Sequence, residues 1–335
     1  MRKRAFITGI TGQDGSYLAE LLLSQGFDVH GLVRRSSGRR WDRLEPFVHR
    51  LHLHEGDVLD TGSLARALGD ARPDEIYHLA AQSFVGVSWR QPVVTNEVTG
   101  LGTTRLLEAV LHVCPKARVL HASSSEIFGV PDHVPLNEDS PMRPASPYGA
   151  SKLMAHHMAR VYRESFGMFV CNAISFNHES PRRGPEFVTR KLSLAAARAS
   201  QSADARVTLG SMDTRRDWGW APDFVRGYTM LIRHEEPLDL VFATGQDHSV
   251  RDVAEQAFAV AGQDWLEHVT VSDQEERPND IPVLLGDASR AKEILGWEPA
   301  VSFSEIIRRM VESDIANLSR SHDHGALPHL PGQEH

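Results

Sequence analysis

Two short stretches of the chain carry side chains that can exchange protons with an alcohol. The stretch "SSSEIFG" holds Ser124 and Glu126, and "SPYGASK" holds Tyr148 and Lys152. A tyrosine, with an ordinary pKa near ~10, is a weak base at neutral pH unless a neighbouring cation stabilises its phenolate. Tyr148 and Lys152 are spaced so that they share one face of a helix, so Lys152 can supply that cation. This pattern predicts a tyrosine base that deprotonates a substrate hydroxyl.

Ser124 and Glu126 follow the apolar run "ARVLHA", which predicts a buried strand. If the strand stays extended, both side chains point toward the pocket at its carboxyl end, where sheets of this class bind ligands. Ser124 would then hydrogen-bond the hydroxyl that Tyr148 deprotonates, and the assembly would oxidise a secondary alcohol by hydride transfer to a bound cofactor. A helix-capping or loop acid is the alternative interpretation of Glu126.

The elements that must position these residues alternate along the first half of the chain. Short β-branched runs such as "RAFIT", "VHGLV" and "EIYHLAA" are separated by amphipathic stretches. This alternation predicts an α/β fold with a doubly wound parallel Rossmann sheet. We expect a cofactor-binding Rossmann domain over 1–176, joined by parts of 212–245, then a smaller α/β substrate domain over 177–318 and a disordered tail over 319–335.

Composition limits the other function classes. The chain has 335 residues and a formal net charge of -8, which argues against a nucleic-acid or anionic-membrane partner. No apolar run approaches the roughly 20 residues of a membrane helix. Cys114 and Cys171 are predicted to be small core residues, and the tail histidines lack an organised ligand spacing, so no metal site is expected. We therefore expect a cytoplasmic protein.

A glycine-rich loop follows the first predicted strand. In "ITGITGQDGSYLAELLL", Gly9, Gly12 and Gly15 lie between a buried strand and an amphipathic helix. Glycines there let the backbone approach a pyrophosphate, and the helix N-terminus supplies N–H donors. A plain strand-to-helix turn is the alternative. The G-x-x-G-x-x-G spacing resembles that of the short-chain dehydrogenase/reductase superfamily.

Two arginines end the second predicted strand, in "LVRRSSGRR". Arg34 and Arg35 can pair with a 2′-phosphate through charge-assisted hydrogen bonds, which favours NADP over NAD. A solvated basic loop is the alternative. After the third strand, "EGDV" could place Asp57 and Val58 beside the adenine, although an acidic turn would look the same.

Taken together, the motifs resemble a known enzyme family. The stretches "TGITGQDGSYLAE", "LAAQSFVGVSW", "SSSEIFG", "SPYGASK", "FNHESPRRGPEFVTRK", "RRDWGWAPDFV" and "GWEP" resemble the extended short-chain dehydrogenases that act on nucleotide sugars, and within them the GDP-mannose 4,6-dehydratase family. The resemblance extends from about residue 3 to residue 318. The stretch "NHESPRRG" followed by "FVTRK" is more specific than the glycine loop.

The resemblance implies a task for Glu126. Tyr148 would take the proton of the sugar C4 hydroxyl while hydride passes to NADP+, which gives a 4-keto sugar with an acidic C5 proton. Glu126 would take that proton and help to expel the C6 hydroxyl as water, and hydride would return to C6. The implied enzyme is an NADP-dependent lyase of deoxysugar biosynthesis that converts GDP-mannose to GDP-4-keto-6-deoxymannose.

The resemblance also implies binding residues, carried over on the matching motifs. The implied cofactor contacts are Gly9, Thr11, Gly12, Gln13, Asp14, Gly15, Arg34, Asp57, Val58, Leu79, Ala81, Ser83, Tyr148, Lys152, His178 and Arg183. The implied contacts to the nucleotide sugar are Ser83, Asn177, Val188, Lys191, Arg216 and Arg277. An internal ion pair with Asp217 or Asp223 is the alternative for Arg216. The family also implies a homo-oligomer, a dimer or tetramer, with "RRSSGRR" at a subunit contact.

The chain departs from the family pattern at two informative positions. Ser124 stands where the dehydratases usually have threonine, and Asp280 stands where the family commonly has glutamate. Sister enzymes such as GDP-4-keto-6-deoxymannose reductase share a serine and a glutamate before the tyrosine. A reductase or an epimerase on a related nucleotide sugar is therefore the alternative enzyme, and a non-catalytic NADP-sensing protein is the alternative of another class. The pair "GQDGSYL" and "NHESPRRG" favours the dehydratase.

Overall fold

A seven-stranded parallel sheet is the largest sheet of the structure, a computed structural model in which residues 2–35, 41–272 and 279–323 are described. In chain order the strands are β1 (Arg4–Thr8), β2 (Asp28–Val33), β3 (Leu51–Glu55), β4 (Glu75–His78), β5 (Arg118–Ala122), β6 (Val170–Ser175), β7 (Asn177–Glu179), β8 (Val207–Leu209), β9 (Arg215–Trp220), β10 (Asp239–Phe242), β11 (Asp247–Ser249), β12 (Val269–Val271) and β13 (Val283–Leu284).

The helices follow the strands in the alternation that the sequence predicts. They are α1 (Gln13–Ser24), α2 (Thr61–Ala71), α3 (Val85–Arg90), α4 (Pro92–Thr95), α5 (Gly102–Val113), α6 (Pro147–Phe166), α7 (Val188–Ala199), α8 (Ala221–Ile232), α9 (Val250–Val260), α10 (Trp265–His268), α11 (Ser289–Leu295) and α12 (Phe303–Asp323). A π-helical segment, Asn96–Leu101, connects α4 to α5, and Ser125–Ile127 forms a 3₁₀ turn after β5.

The large sheet has the strand order β10-β6-β5-β4-β1-β2-β3, and every neighbouring pair runs parallel. The order reverses between β1 and β4, because the chain builds outward in one direction to β3 and then returns to add β4 on the other side of β1. In such sheets ligands bind at the carboxyl ends of the strands beside this reversal. The predicted α/β fold with a doubly wound Rossmann sheet is confirmed.

Alternate residues of β1 face two separate apolar layers. Ala5 and Ile7 belong to a cluster with Leu18 of α1 and Phe224 of α8. Phe6 belongs to a second cluster, to which α2, α5 and α6 contribute. Successive side chains of a strand point to opposite faces. Helices therefore cover both faces of the sheet, which is the doubly wound arrangement.

Local side-chain chemistry fixes where helices begin and end. The Asp60 carboxylate accepts a hydrogen bond from Gly62 N at 2.9 Å and starts α2. The Ser146 hydroxyl oxygen accepts one from Gly149 N at 3.0 Å and starts α6. Gly167, at φ +65°, ends α6 in the left-handed conformation that glycine adopts readily. The start of α6 matters most, because α6 carries two of the predicted catalytic residues.

The chain divides into two compact units. Unit one contains the described residues of Met1–His178, Arg215–Asp247 and Arg277–Val301, and unit two contains those of Glu179–Thr214, His248–Glu276 and Ser302–His335. Residues 279–301 thus lie in the unit of the parallel sheet, whereas the sequence placed them in the second domain. Strand β13 has two residues and helix α11 has seven, so their sequence patterns are too short to predict the unit to which they belong. Which unit binds cofactor and which binds substrate stays a prediction.

Unit two is held together by helices α7, α9 and α12. Inside it, Arg190 forms an ion pair of 2.6 Å with Asp314, a residue that is 1% exposed. Helix α12 continues to Asp323. Residues 319–323 are therefore helical, where the sequence predicted a disordered tail, and residues 324–335 lie outside the described residues. Residues 319–323 are polar, so they show no apolar periodicity from which the continuation of α12 could be predicted.

Both cysteine thiols have raised pKa values because they are shielded from water. Cys171 is fully buried, and burial raises its pKa above the ordinary range. Cys114 is half-buried, and burial raises its pKa to about 11. Neither thiol is poised as a thiolate at neutral pH. No helix in the described ranges is long and apolar enough to cross a membrane.

Three histidines meet on β2 and β3. His30 Nδ1 lies 2.9 Å from His54 Nε2, and the His30 ring stacks on the His52 ring at 4.8 Å between centroids. Burial, followed by the charges of His52, His54 and Arg4, lowers the pKa of His30 to about 4, against a smaller opposing effect of Asp28. His30 is therefore uncharged at neutral pH and resists protonation in the folded state.

We expect the free energy of unfolding to fall as the pH drops from about 6.5 toward 4. An unfolded histidine binds its proton near its ordinary pKa of ~6.5, whereas folded His30 does so only near 4. His30→Gln should therefore lose less stability than the wild type between about pH 7 and about pH 5, as measured by urea unfolding. The exposed control His49→Gln should behave like the wild type. Equal losses in all three proteins would contradict this account.

Candidate active site

The glycine loop between β1 and α1 is packed so closely that a side chain is excluded at Gly9 and at Gly15. Gly9 has φ +74°, and a Cβ added to it would lie 2.9 Å from Ala80 N. A Cβ added to Gly15 would lie 2.3 Å from Gly9 O. Glycine is required at both positions, because a left-handed backbone and a close backbone contact exclude larger residues. The loop therefore lies directly against the residues that follow β4.

Two motifs that are far apart in the sequence meet beside this loop. His178 Nε2 lies 2.8 Å from Asp14 Oδ2, and Gln13 Nε2 donates to His178 O at 3.1 Å. The His178 ring also stacks on Phe224, with 4.4 Å between centroids. The "GQDG" and "NHES" stretches, each predicted from the sequence to contact cofactor, are thus joined by direct hydrogen bonds.

Tyr148 and Lys152 lie on one buried face of α6. Tyr148 is 8% and Lys152 4% exposed, and Lys152 Nζ lies 5.9 Å from the centroid of the Tyr148 ring. Lys152 Nζ also donates a hydrogen bond of 2.6 Å to Ala122 O at the end of β5. Burial lowers the pKa of Lys152 to about 8, while the charge of Asp14 opposes that effect. The ammonium is thus close to both the tyrosine and the strand end.

The sequence suggested that Ser124 and Glu126 lie on an extended strand, but they do not. Strand β5 ends at Ala122, and the Ser124 hydroxyl oxygen accepts a hydrogen bond of 3.3 Å from Glu126 N. This local bond starts the 3₁₀ turn Ser125–Ile127, because serine hydroxyls compete effectively with the sheet for backbone N–H groups. Glu126 therefore lies in a turn, and its direction is set by that turn and not by strand alternation.

The turn that holds Glu126 packs directly on the first turn of α6. A Cβ added to Gly149 would lie 2.5 Å from Glu126 O, and the Ser146 hydroxyl donates to Glu126 Oε2 at 3.4 Å. Gly149 immediately follows Tyr148. The structure thus brings the predicted catalytic carboxylate and the predicted tyrosine base together through backbone packing.

The remaining predicted cofactor residues of unit one have varied surroundings. Asp57 accepts a hydrogen bond from Leu59 N at 3.0 Å, which fits the alternative of an acidic turn. Val58 is buried in the second apolar cluster. Thr11 O accepts a hydrogen bond from Arg43 at 3.2 Å. Arg34 is exposed at the end of β2.

Arg216 has a different ionic partner from the two that the sequence suggested. Arg216 donates to Ile281 O at 2.7 Å and pairs with Asp280 at 3.2 Å. Asp217 instead accepts hydrogen bonds from Thr244, Gly245 and Gly286, and Asp223 accepts one from Ala300 N at 2.8 Å. The internal ion pair exists, but Asp280, the residue that departs from the family pattern, forms it.

Three of the remaining predicted binding residues belong to unit two, and the others belong to unit one or lie outside the described residues. Arg183 pairs with Glu179 at 3.2 Å and stacks over Phe187, and Lys191 donates to Thr208 O at 2.7 Å. Val188 begins α7, and Asn177 begins β7. Leu79, Ala81 and Ser83 follow β4. Arg277 lies outside the described residues, as does the 36–40 part of the predicted subunit contact. Within the described ranges, no group of three or more metal-ligating side chains is arranged to hold an ion.

Comparison with known protein families decides which family this fold and these motifs represent. The family model for GDP-mannose 4,6 dehydratase matches residues 6–310. The chain belongs to the GDP-mannose 4,6-dehydratase family. The resemblance inferred from the motifs is thereby confirmed.

Named relatives agree with this family assignment. The chain is 44% identical to GDP-mannose 4,6 dehydratase 1 of Arabidopsis thaliana over 331 residues, which cover 95% of this chain and 91% of the relative. It is 41% identical to the Homo sapiens GDP-mannose 4,6 dehydratase over 341 residues, covering 94% and 92%. It is 40% identical to the Vibrio cholerae enzyme over 356 residues, covering 96% of each.

Solved structures of nucleotide-sugar enzymes share the fold. UDP-glucose 4-epimerase of Thermus thermophilus, in complex with NAD, matches with a TM-score of 0.83 and 28% identity over 93% of this chain and 98% of that one. The dTDP-glucose 4,6-dehydratase DesIV of Streptomyces venezuelae, with NAD and TYD bound, matches with a TM-score of 0.86 and 26% identity over 95% and 98%. Dehydratases and epimerases of the wider superfamily therefore share this architecture.

The sequence did not indicate several residues that contact the predicted catalytic turn and the glycine loop. Ser146 and Gly149 join α6 to the Glu126 turn, and Arg43 contacts the glycine loop. The pair "SP" at 146–147 does carry a signal, because serine before proline is typical of a helix start. No local pattern marks Gly149 or Arg43, since their contacts come from segments distant in the chain.

Gly149→Ala should destabilise the protein by about 1–3 kcal/mol and reduce turnover, because the new Cβ would overlap Glu126 O. In an ordinary helix the same change stabilises by up to ~1 kcal/mol. Gly69→Ala in α2 is the matched control, since the nearest atom to its added Cβ is Val113 Cγ1 at 3.9 Å. Chemical denaturation of both variants tests the difference. A Gly149→Ala protein as stable as Gly69→Ala would show that the contact is unimportant.

Proposed function

We propose that this chain is a hydro-lyase that converts GDP-mannose to GDP-4-keto-6-deoxymannose, with NADP as a recycled cofactor. The observation that carries the proposal is the packing of the Glu126 turn on the helix of Tyr148 and Lys152, in a chain of the GDP-mannose 4,6-dehydratase family. A tyrosine and lysine alone serve an alcohol oxidation. A carboxylate beside them adds a group that can remove a second proton from the same sugar.

The residues around the glycine loop fit a dinucleotide. The N-cap of α1 is Gly12, which offers no side-chain acceptor to the first helical N–H groups. Because the glycines carry no side chains, a pyrophosphate can approach the backbone of the loop. Tyr148 and Lys152 would lie near the nicotinamide ribose. A bound nicotinamide would supply the acceptor for the hydride from the sugar C4 and the donor of the hydride to C6. The other cofactor contacts inferred from the sequence remain proposals.

The protein's own residues then account for the proton transfers. Lys152 stabilises the phenolate of Tyr148, which takes the proton of the C4 hydroxyl, and the Ser124 hydroxyl hydrogen-bonds the same oxygen. The resulting 4-keto group acidifies the C5 proton. The Glu126 carboxylate takes that proton and passes it to the C6 hydroxyl, which leaves as water. Reduction at C6 then requires a proton at C5, and the proton that Tyr148 removed from the C4 hydroxyl balances it. General acid–base steps of this kind typically contribute about 10² to 10⁴ in rate.

Incubation of the purified protein with GDP-mannose, without added reductant, tests the proposal. Mass spectrometry should show a product that has lost one water, with no net consumption of NADPH. Glu126→Gln should lower this turnover by at least about 100-fold while NADP binding changes little, because the amide cannot take the C5 proton. Glu293→Gln, at an exposed position of α11, is the control variant.

Three results would overturn the assigned reaction, and a fourth would overturn the role of Glu126. A stoichiometric requirement for NADPH would indicate a 4-keto reductase, and a product of unchanged mass would indicate an epimerase. Binding of NADP without conversion of any nucleotide sugar would indicate a sensor. Normal turnover by Glu126→Gln would remove the role assigned to that carboxylate. Trials with several nucleotide sugars would establish the base and the hexose.

The preference for NADP over NAD rests on the exposed Arg34 at the end of β2. Its guanidinium can form forked hydrogen bonds with a 2′-phosphate, whereas an acidic residue at this place would accept bonds from a free ribose hydroxyl. Arg34→Asp should weaken NADP binding by about tenfold or more and narrow or reverse the preference over NAD. Calorimetric titration with both cofactors measures this, with the exposed Arg66→Gln as control. An unchanged NADP-to-NAD ratio would contradict the assignment.

A further inference from the structure

The loop after β4, residues 79–83, lies against the glycine loop. A Cβ on Gly9 would meet both Ala80 N and Leu79 C at 2.9 Å. Leu79, Ala81 and Ser83 are proposed cofactor contacts. The backbone position of this loop therefore sets one wall of the proposed dinucleotide site, and small shifts in it would alter cofactor binding.

Two threonine hydroxyls hold the backbone of this loop. Ala80 N donates to Thr8 Oγ1 at 3.3 Å, and Gln82 N donates to Thr99 Oγ1 at 3.1 Å. Thr8 ends β1, whereas Thr99 lies in the π-helical segment before α5. Such π-helical segments occur frequently at functional sites. The loop is thus tied to two different elements.

His78 connects Thr8 to Thr99, by way of Thr103 and the Thr99 carbonyl, in a buried chain of hydrogen bonds. Its Nδ1 lies 2.7 Å from Thr8 Oγ1, and its Nε2 lies 3.0 Å from Thr103 Oγ1. Thr103 Oγ1 in turn donates to Thr99 O at 2.8 Å. Thr8, His78, Thr99 and Thr103 are each at most 1% exposed. Each polar atom here must be satisfied inside the protein, since water cannot replace a lost partner.

The partners determine the direction of each bond. Thr99 O can only accept, so the Thr103 hydroxyl donates to it and its oxygen accepts from His78 Nε2–H. Thr8 Oγ1 accepts from Ala80 N–H and donates its own proton to His78 Nδ1. A proton on Nδ1 would turn that last bond around and leave the Thr8 hydroxyl proton without its acceptor. The chain is complete when His78 is neutral with its proton on Nε2.

We propose that His78, in this single tautomer, is a positioning residue that holds the 79–83 loop in the geometry needed to bind the nicotinamide dinucleotide. The inference rests on the proposed function, because it takes the loop to be a wall of the cofactor site. Burial, and next the charge of Lys152, lower the pKa of His78 to about 3, which agrees with a neutral ring throughout the physiological range. A histidine suits this place because one neutral ring both donates and accepts.

Thr103→Val tests the proposal at a distance from the cofactor. The change keeps the size of the side chain but removes the acceptor of His78 Nε2–H. The His78 ring, which accepts the Thr8 proton, then loses the bond that fixes its tautomer and orientation. We expect the dissociation constant for NADPH, from the fluorescence change on titration into the full-length chain, to rise about tenfold. Thr103→Ser, which keeps the hydroxyl, should restore affinity to within about twofold of the wild type.

Thr104→Val is the matched control, because it removes a hydroxyl on the same helix that bonds to Gly100 O at 3.4 Å and does not join the His78 chain. Its NADPH affinity should equal that of the wild type. If Thr103→Val lowers the melting temperature but leaves the NADPH affinity unchanged, His78 has only a structural role and the proposal is wrong. If the wild type binds neither NADPH nor NADH, the proposed cofactor is wrong as well.

A measurement on the wild type covers the case in which Thr103→Val does not fold. Long-range ¹H–¹⁵N spectra of protein labelled on histidine should show His78 with a protonated Nε2 and an unprotonated Nδ1 between about pH 7 and about pH 5. The His78→Gln spectrum assigns the signal. A proton on Nδ1 at either pH would overturn the proposal, because it breaks the bond direction on which the loop depends.

Discussion

A buried ammonium group organises the candidate active site. Lys152 is 4% exposed and donates to the Ala122 carbonyl at the end of β5, so α6 and the sheet are tied together at that point. A buried charge is costly unless its hydrogen bonds are made. The cost keeps α6 in one position relative to β5, since movement would break the bond to Ala122. Because Tyr148 lies on α6 and the Glu126 turn follows β5, this hydrogen bond helps to fix their relative position.

Two buried histidines near Lys152 stay neutral. Burial and the lysine charge lower the pKa values of both His78 and His121. His78 bonds to threonines, and His121 Nδ1 lies 2.9 Å from Asn172 Oδ1. Neutral rings supply hydrogen bonds inside the sheet without adding positive charge beside the ammonium. The same strands thus support both the proposed proton transfers and the cofactor loop.

The sequence predicts the fold well where periodicity is strong and partners are near in the chain. The strand and helix alternation up to β6, the glycine loop and the shared face of Tyr148 and Lys152 all follow from spacing. The prediction that Ser124 and Glu126 lie on an extended strand was wrong. The Ser124 hydroxyl accepts a hydrogen bond from the backbone N–H of Glu126, and this bond starts a turn. The predicted ion-pair partners of Arg216 were wrong because the actual partner, Asp280, is 64 residues away in the chain. The Asp14 and His178 contact spans 164 residues and has no local signature at all.

The central claim is that one sugar is oxidised at C4, loses water and is reduced at C6 within a single site. GDP-mannose carrying deuterium at C4, incubated with the purified protein, tests this claim most directly. The account predicts that the deuterium is found in the C6 methyl group of the 4-keto product, because the cofactor returns to the same molecule what it removed. Deuterium that remains on the cofactor, or that is lost to water, would contradict the account.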